Sequence, residues 1–177
     1  MNDQVASPVV EANLPHAVNG PSVAADGPRQ TEFISFAIGD DQYGVDIMAV
    51  REIKGWNPIT HLPKQPAHMR GVLNLRGVMV PIVDLRCRLG EGLTETTPMH
   101  VVIVVQIGAQ AVGLLADRVL DIVSIGGNQV QPVPRISRAG RRNYLSGLVT
   151  VEGQMIALLD LPQLLAEDVS VEMSATS

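Results

Sequence analysis

The sequence predicts a mainly β protein built as two tandem, related small barrels with few short helices. Aromatic residues make up 3% of its 177 residues and apolar residues 46%. The core must therefore be built from Val, Ile, Leu and Ala, a bias toward strands. Short runs of strand-type residues recur, joined in pairs by turn residues. The chain also repeats itself, as a supersecondary unit built twice would.

The elements follow in order. Residues 1–30 are interrupted by Pro8, Pro15, Pro21 and Pro28, with small or polar residues between them. Such a stretch buries too little apolar surface to offset its ordering entropy, so a disordered leader is expected. The ordered body, two intertwined or tandem β-barrel subdomains, is expected over residues 31–167, with a flexible tail over 168–177. Within the body, Glu32 to Ile38 alternates, Gly39-Asp40-Asp41 supplies a turn, and Gln42 to Ile47 returns as a hairpin. Val72 to Leu75 and Val78 to Val83 pair around Arg76-Gly77. Val101 to Ile107, Val112 to Ala116 and Arg118 to Ile125 form a further group. Leu148 to Val151 and Met155 to Leu159 close the set around Glu152-Gly153. A short helix is expected after Asp84, and another from Pro162 to about Glu167 with proline in its first turn.

The repeat is clearest between GVLNLRGVMVPIVDL, from Gly71 to Leu85, and GLVTVEGQMIALLDL, from Gly147 to Leu161. Gly71, Gly77, Met79, Asp84 and Leu85 recur as Gly147, Gly153, Met155, Asp160 and Leu161. Upstream, Val50, Glu52 and Ile53 are answered by Val119, Asp121 and Ile122. Each copy has about 70 residues, and a small closed or nearly closed barrel removes exposed strand edges from such a unit. Two such units pack together and leave a groove, a common place for binding.

Composition excludes several functions. A net charge of −5 argues against a broad nucleic-acid surface. The single cysteine, Cys87, rules out an internal disulfide and a cysteine-based zinc site and fits a reducing cytosol. No stretch approaches the ~18 apolar residues of a membrane span, and the N-terminus lacks the pattern of a signal peptide. A cytoplasmic protein without direct membrane insertion is expected.

No catalytic or metal constellation emerges. Gly108 to Gly113 has phosphate-loop spacing without the following Lys and Ser/Thr, and reads as a hairpin turn. His16, His61, His68 and His100 lack zinc-type pairing and read as surface or loop residues. Asp84 and Asp160 sit at equivalent strand ends, where a carboxylate caps a helix. Arg86 and Arg88 flank Cys87, and their charge could lower its pKa. Arg135, Arg138, Arg141 and Arg142 form a basic loop, either solvated or set against an acidic partner. Trp56 is either core or an interface anchor. Glu52 and Arg76 are charges within strand-like segments, either isolated or paired at the rim of a groove. No cofactor is called for.

Three segments resemble the CheW family of chemotaxis coupling proteins: YGVDIMAVREIKGW (Tyr43–Trp56), MRGVLNLRGVMVPIVDLR (Met69–Arg86) and YLSGLVTVEGQMIALLDL (Tyr144–Leu161). The resemblance spans roughly Phe33 to Ala166 and implies two SH3-like five-stranded barrels. It implies a non-catalytic adaptor that couples chemoreceptors to the CheA histidine kinase; the alternatives are a CheW-like adaptor of another chemosensory array, such as one for pilus motility, and, further off, a β-barrel enzyme. The receptor's cytoplasmic tip would dock as a helix in the groove between the barrels, and the protein would be recruited to membrane-associated receptor arrays. By position, Val50, Ile53, Val101 and Ile122 would line the groove, with Glu52 and Arg76 taking part in receptor coupling as an ion pair. The kinase's regulatory domain, itself CheW-like, would contact Arg70. Gly71, Gly113 and Gly147 would be positions where no side chain fits.

Overall fold

The computed structural model describes residues 29–134 and 144–168. The expected leader up to residue 28, the basic loop with its four arginines, and the tail from residue 169 lie outside the described residues. Ten strands make two five-stranded sheets, the mainly β fold class that the sequence predicts.

The first copy of the repeat supplies β1 (Gln30–Ile38), β2 (Asp41–Asp46), β3 (Val50–Gly55), β4 (Met69–Leu75) and β5 (Val78–Asp84). The second supplies β6 (Val101–Ile107), β7 (Gln110–Ala116), β8 (Arg118–Gly126), β9 (Leu145–Val151) and β10 (Gln154–Leu159). Helices α1 (Leu85–Arg88) and α2 (Leu161–Leu164) follow β5 and β10. Proline stands in the first turn of α2, where its missing N–H costs nothing.

The two copies exchange strands. One sheet runs β8-β1-β2-β10-β9 and the other β3-β6-β7-β5-β4. Each therefore takes two strands from one copy and three from the other. The copies meet at two parallel pairs, β2 with β10 and β5 with β7, and at two antiparallel pairs, β1 with β8 and β3 with β6. Thus a contiguous half of the chain does not make one barrel; the halves interlock. Each sheet curls until its open edges approach. The bridge Thr60–Val72 links the segment after β3 to β4, and Gln131–Leu148 does the same after β8 for β9.

The core has three parts. One lies inside each barrel, around Val102, Val104 and Ile82 in one and Ile125, Val149 and Ile156 in the other. The largest draws on both sheets, with Phe36, Val45, Ile103, Val105, Leu114 and Leu164. Strand β6 shows why its run VVIVV, from Val101 to Val105, is continuously apolar rather than alternating. Val102 and Val104 enter one core while Ile103 and Val105 enter another, so both faces are buried. Each such side chain contributes about 1.5–3 kcal/mol.

Candidate functional site: an apolar fringe between the barrels

Register places the predicted residues. In an antiparallel pair, directly opposed residues share a face. On β3, Val50 opposes Val105 and Ile53 opposes Ile103, both partners being part of the core between the sheets. Val101 also packs against that core. Val50, Ile53 and Val101 thus share one face of their sheet. On the other sheet, Ile122 opposes Ile34, which belongs to the same core. Ile53 is 42% exposed and Ile122 55% exposed. The shared core therefore emerges as an apolar fringe on both sheets, at repeat-equivalent positions. Met48 and Leu120 are also exposed, just before β3 and on β8. Sequence reading did not single them out, because an isolated apolar residue in a strand pattern reads as core.

Glu52 faces the other way. It opposes Val104, across a bulge between Val50 and Glu52, and Val104 belongs to the core inside its own barrel. Arg76 stands in the β4–β5 turn with φ +53, followed by Gly77 at φ +85. Two positive φ values in succession make a primed hairpin turn. Asn74 Oδ1 accepts the Gly77 N–H at 2.8 Å and holds it. From there Arg76 Nη2 donates to Glu52 Oε2 at 3.0 Å. The paired charges thus lie on the face of β3 opposite the apolar fringe. Trp56 packs against the core within this barrel.

Arg70 is apart from both groups. Its side chain is 18% exposed, and Nη1 lies 3.4 Å from Oδ2 of Asp84. Asp84 is wholly buried. It accepts the Cys87 N–H at 3.3 Å, capping α1, and the Thr94 N–H and hydroxyl at 2.8 and 2.7 Å. Asp160 caps α2 through the Gln163 N–H at 3.1 Å. Burial, then the Asp84 carboxylate, pushes the Cys87 thiol up, against an opposing effect of Arg70. That corrects the expectation of a thiol acidified by Arg86 and Arg88. Arg86 turns instead to Asp117, at 2.9 Å.

Asp117 was not singled out in the sequence, yet it gathers several partners. It accepts the Gly39 N–H at 2.7 Å, pairs with Arg86 and lies 3.4 Å from His100 Nε2. These contacts pin loops together. His68 is a loop residue, but its Nε2 lies 2.8 Å from Asp168 Oδ1.

The structural glycines sit in crowded places. A Cβ on Gly71, at φ +139, would collide with the Thr60 carbonyl. One on Gly147 would strike the Val130 side chain, and one on Gly113 would come within 2.7 Å of Val102 Cγ1. Gly71 and Gly147 lie where each barrel's edges meet.

Among the described residues no group of three or more His, Cys, Asp or Glu could hold a metal ion, and no helix is long and apolar enough to cross a membrane.

The family model for the CheW-like domain matches residues 32–169. The chain belongs to the CheW family. It is 46% identical over 130 residues to the chemotaxis protein CheW of Rhizobium meliloti, covering 73% of this chain and 84% of that one. To the CheW of Klebsiella aerogenes it is 36% identical, covering 77% and 82%. The crystal structure of the scaffolding protein TtCheW from Thermoanaerobacter tengcongensis superposes with a TM-score of 0.71 at 28% identity, over 79% of this chain and 90% of that one. With that membership the chain is an adaptor of bacterial chemotaxis signal transduction, from a CheW family of scaffolding proteins.

Proposed function

We propose that the chain couples the cytoplasmic tip of chemoreceptors to a CheA-type histidine kinase, without catalysis of its own. It would act in the cytoplasm, at membrane-associated receptor arrays. The observation that carries the receptor half is the fringe formed by Ile53 on one sheet and Ile122 on the other. An amphipathic helix laid along it would cover exposed apolar surface continuous with a rigid core, the helix-in-groove mode of recognition. Val50 and Val101 support the floor, and Glu52 with Arg76 hold the neighbouring barrel edge. Coupling requires that receptor states differ in contact free energy with the adaptor, since only a differential interaction shifts an equilibrium. Arg70 is proposed to act at the kinase contact by fixing β4 and the loop to Thr94 through Asp84, since its own charge turns inward.

A pull-down with a receptor cytoplasmic fragment and with the kinase tests this. Wild type should capture both. Val50→Asp should lose the receptor, because a charge there is desolvated when the helix docks, and keep the kinase. Capture of neither by wild type would refute the reading. A second reading, an adaptor in another chemosensory array such as one controlling pilus motility, draws on the 30% identity over 146 residues to the protein FrzA of Myxococcus xanthus. The kinase that co-purifies with the chain decides between them.

A further inference from the structure

A cavity of about 420 Å³ opens beside β4 and β5, with Met69, the neighbour of Arg70, in its wall. One wall is apolar, with Leu62, Met69, Val72, Met79 and Pro81, and Gln65, His68, Gln110 and Glu167 add polar groups. Asp168 also lines it. The Asp168 side chain is only 8% exposed. One oxygen, Oδ1, lies against His68. The other, Oδ2, is buried and makes no hydrogen bond among the described residues. A buried carboxylate oxygen without a donor is costly, so native structures pair such groups. Arg88, the nearby cation, is engaged elsewhere: it binds the Leu164 carbonyl at 3.1 Å and Glu167 at 3.2 Å.

The repeat supplies an internal comparison. A smaller cavity of about 240 Å³ is lined by Leu145, Leu148, Met155 and Ala157, the repeat counterparts of Met69, Val72, Met79 and Pro81. The wall is thus common to both copies. The acid in the smaller cavity is Asp41, which is exposed. Only the larger one combines the apolar wall with a buried, half-satisfied carboxylate.

We propose that this larger cavity receives an arginine side chain, flanked by apolar residues, from a partner protein. The aliphatic stem would lie along Val72 and Met79, and a shift of the Asp168 side chain would let the guanidinium donate to Oδ2, as a charge-assisted bond. A protein fits better than a free small cation because exposed apolar side chains border the cavity. Leu62 and Met79 are exposed there, with Val78 adjacent, and a small ion would leave them wet. An arginine anchor ringed by apolar contacts is a common interface hot spot.

The test is a titration of the ¹⁵N-labelled full chain, followed by amide shifts. The probes are acetyl-Leu-Arg-Leu-amide, its isosteric neutral analogue with citrulline, and butylguanidinium. The arginine peptide should move the amides of Leu62, Val72, Met79 and Asp168 and bind at least tenfold more tightly than the citrulline peptide. Asp168→Asn should abolish that preference. Met79→Lys, at an exposed site that leaves the fold intact, should block the arginine peptide by placing a cation at the mouth. Equal binding of the two peptides, a preference that survives Asp168→Asn, or shifts confined to other surfaces would overturn the proposal. Butylguanidinium binding as tightly as the peptide would also overturn it, making the cavity a small-cation site.

Discussion

Arg76 Nη2 donates to Glu52 Oε2 at 3.0 Å, and the bond joins the two open edges of one barrel. Glu52 lies on β3 at one end of the strand order and Arg76 directly follows β4 at the other. Repeat equivalence sets Asp121 and Glu152 at the matching positions of the other barrel, so this pairing is particular to one of them. Glu52 is 24% exposed and Arg76 80% exposed. An ion pair so open to solvent contributes about 0.2–1 kcal/mol. Arg76→Ala should therefore leave the urea midpoint nearly unchanged while weakening receptor capture. The double variant Glu52→Arg, Arg76→Glu should recover capture relative to either single change. A large loss of stability on Arg76→Ala would show that the pair is structural instead.

The two edge glycines should differ in sensitivity. At Gly71 a Cβ meets backbone, the Thr60 carbonyl, and φ is +139, a conformation that side-chain-bearing residues rarely adopt. Gly71→Ala should cost roughly 2–4 kcal/mol. At Gly147 the obstacle is mainly the Val130 side chain, which can shift, so Gly147→Ala should cost roughly 1–2 kcal/mol. Urea unfolding of both variants checks the order.

Asp84 and Asp160 both cap a short helix, yet their losses should be unequal. Asp84→Ala strands the Arg70 guanidinium and the Thr94 N–H and hydroxyl inside the protein. Removing one partner of a buried ion pair costs about 3–5 kcal/mol. Asp160→Ala removes an ordinary cap worth about 1 kcal/mol. Thermal unfolding of the two variants should separate them clearly.

The Cys87 thiol is pushed up by burial and by Asp84, so less thiolate is present near neutral pH. Iodoacetamide should alkylate Cys87 more slowly than free cysteine at pH 7.5, with the difference shrinking as pH rises. Asp84→Asn removes the second cause and should speed the reaction.

Much of the fold is legible in the sequence because its signals are local. The Arg76-Gly77 and Glu152-Gly153 turns mark hairpins, and Asp84 and Asp160 mark helix starts. The repeat announces two related units. Which strands are exchanged is not legible, because alternation says which face of β1 is buried and not that β8 lies beside it. Asp117 and the His68–Asp168 contact escaped for a similar reason. Their partners lie far away in sequence, 31 residues for Arg86 and 100 for Asp168. Val50 and Ile53 share a face only because of the bulge between Val50 and Glu52, since alternation alone would set residues three apart on opposite faces.

Kinase activity in a reconstituted array tests the central claim most directly. Receptor-bearing membranes, CheA-type kinase and this chain would be mixed, and autophosphorylation measured with and without attractant. The account predicts that wild type brings the kinase under receptor control. It also predicts that Ile122→Asp, a change at an exposed position of the fringe, remains folded and abolishes that control. Ile122→Asp coupling as well as wild type would contradict the groove, and a wild-type chain that leaves the kinase unresponsive would contradict the coupling function itself.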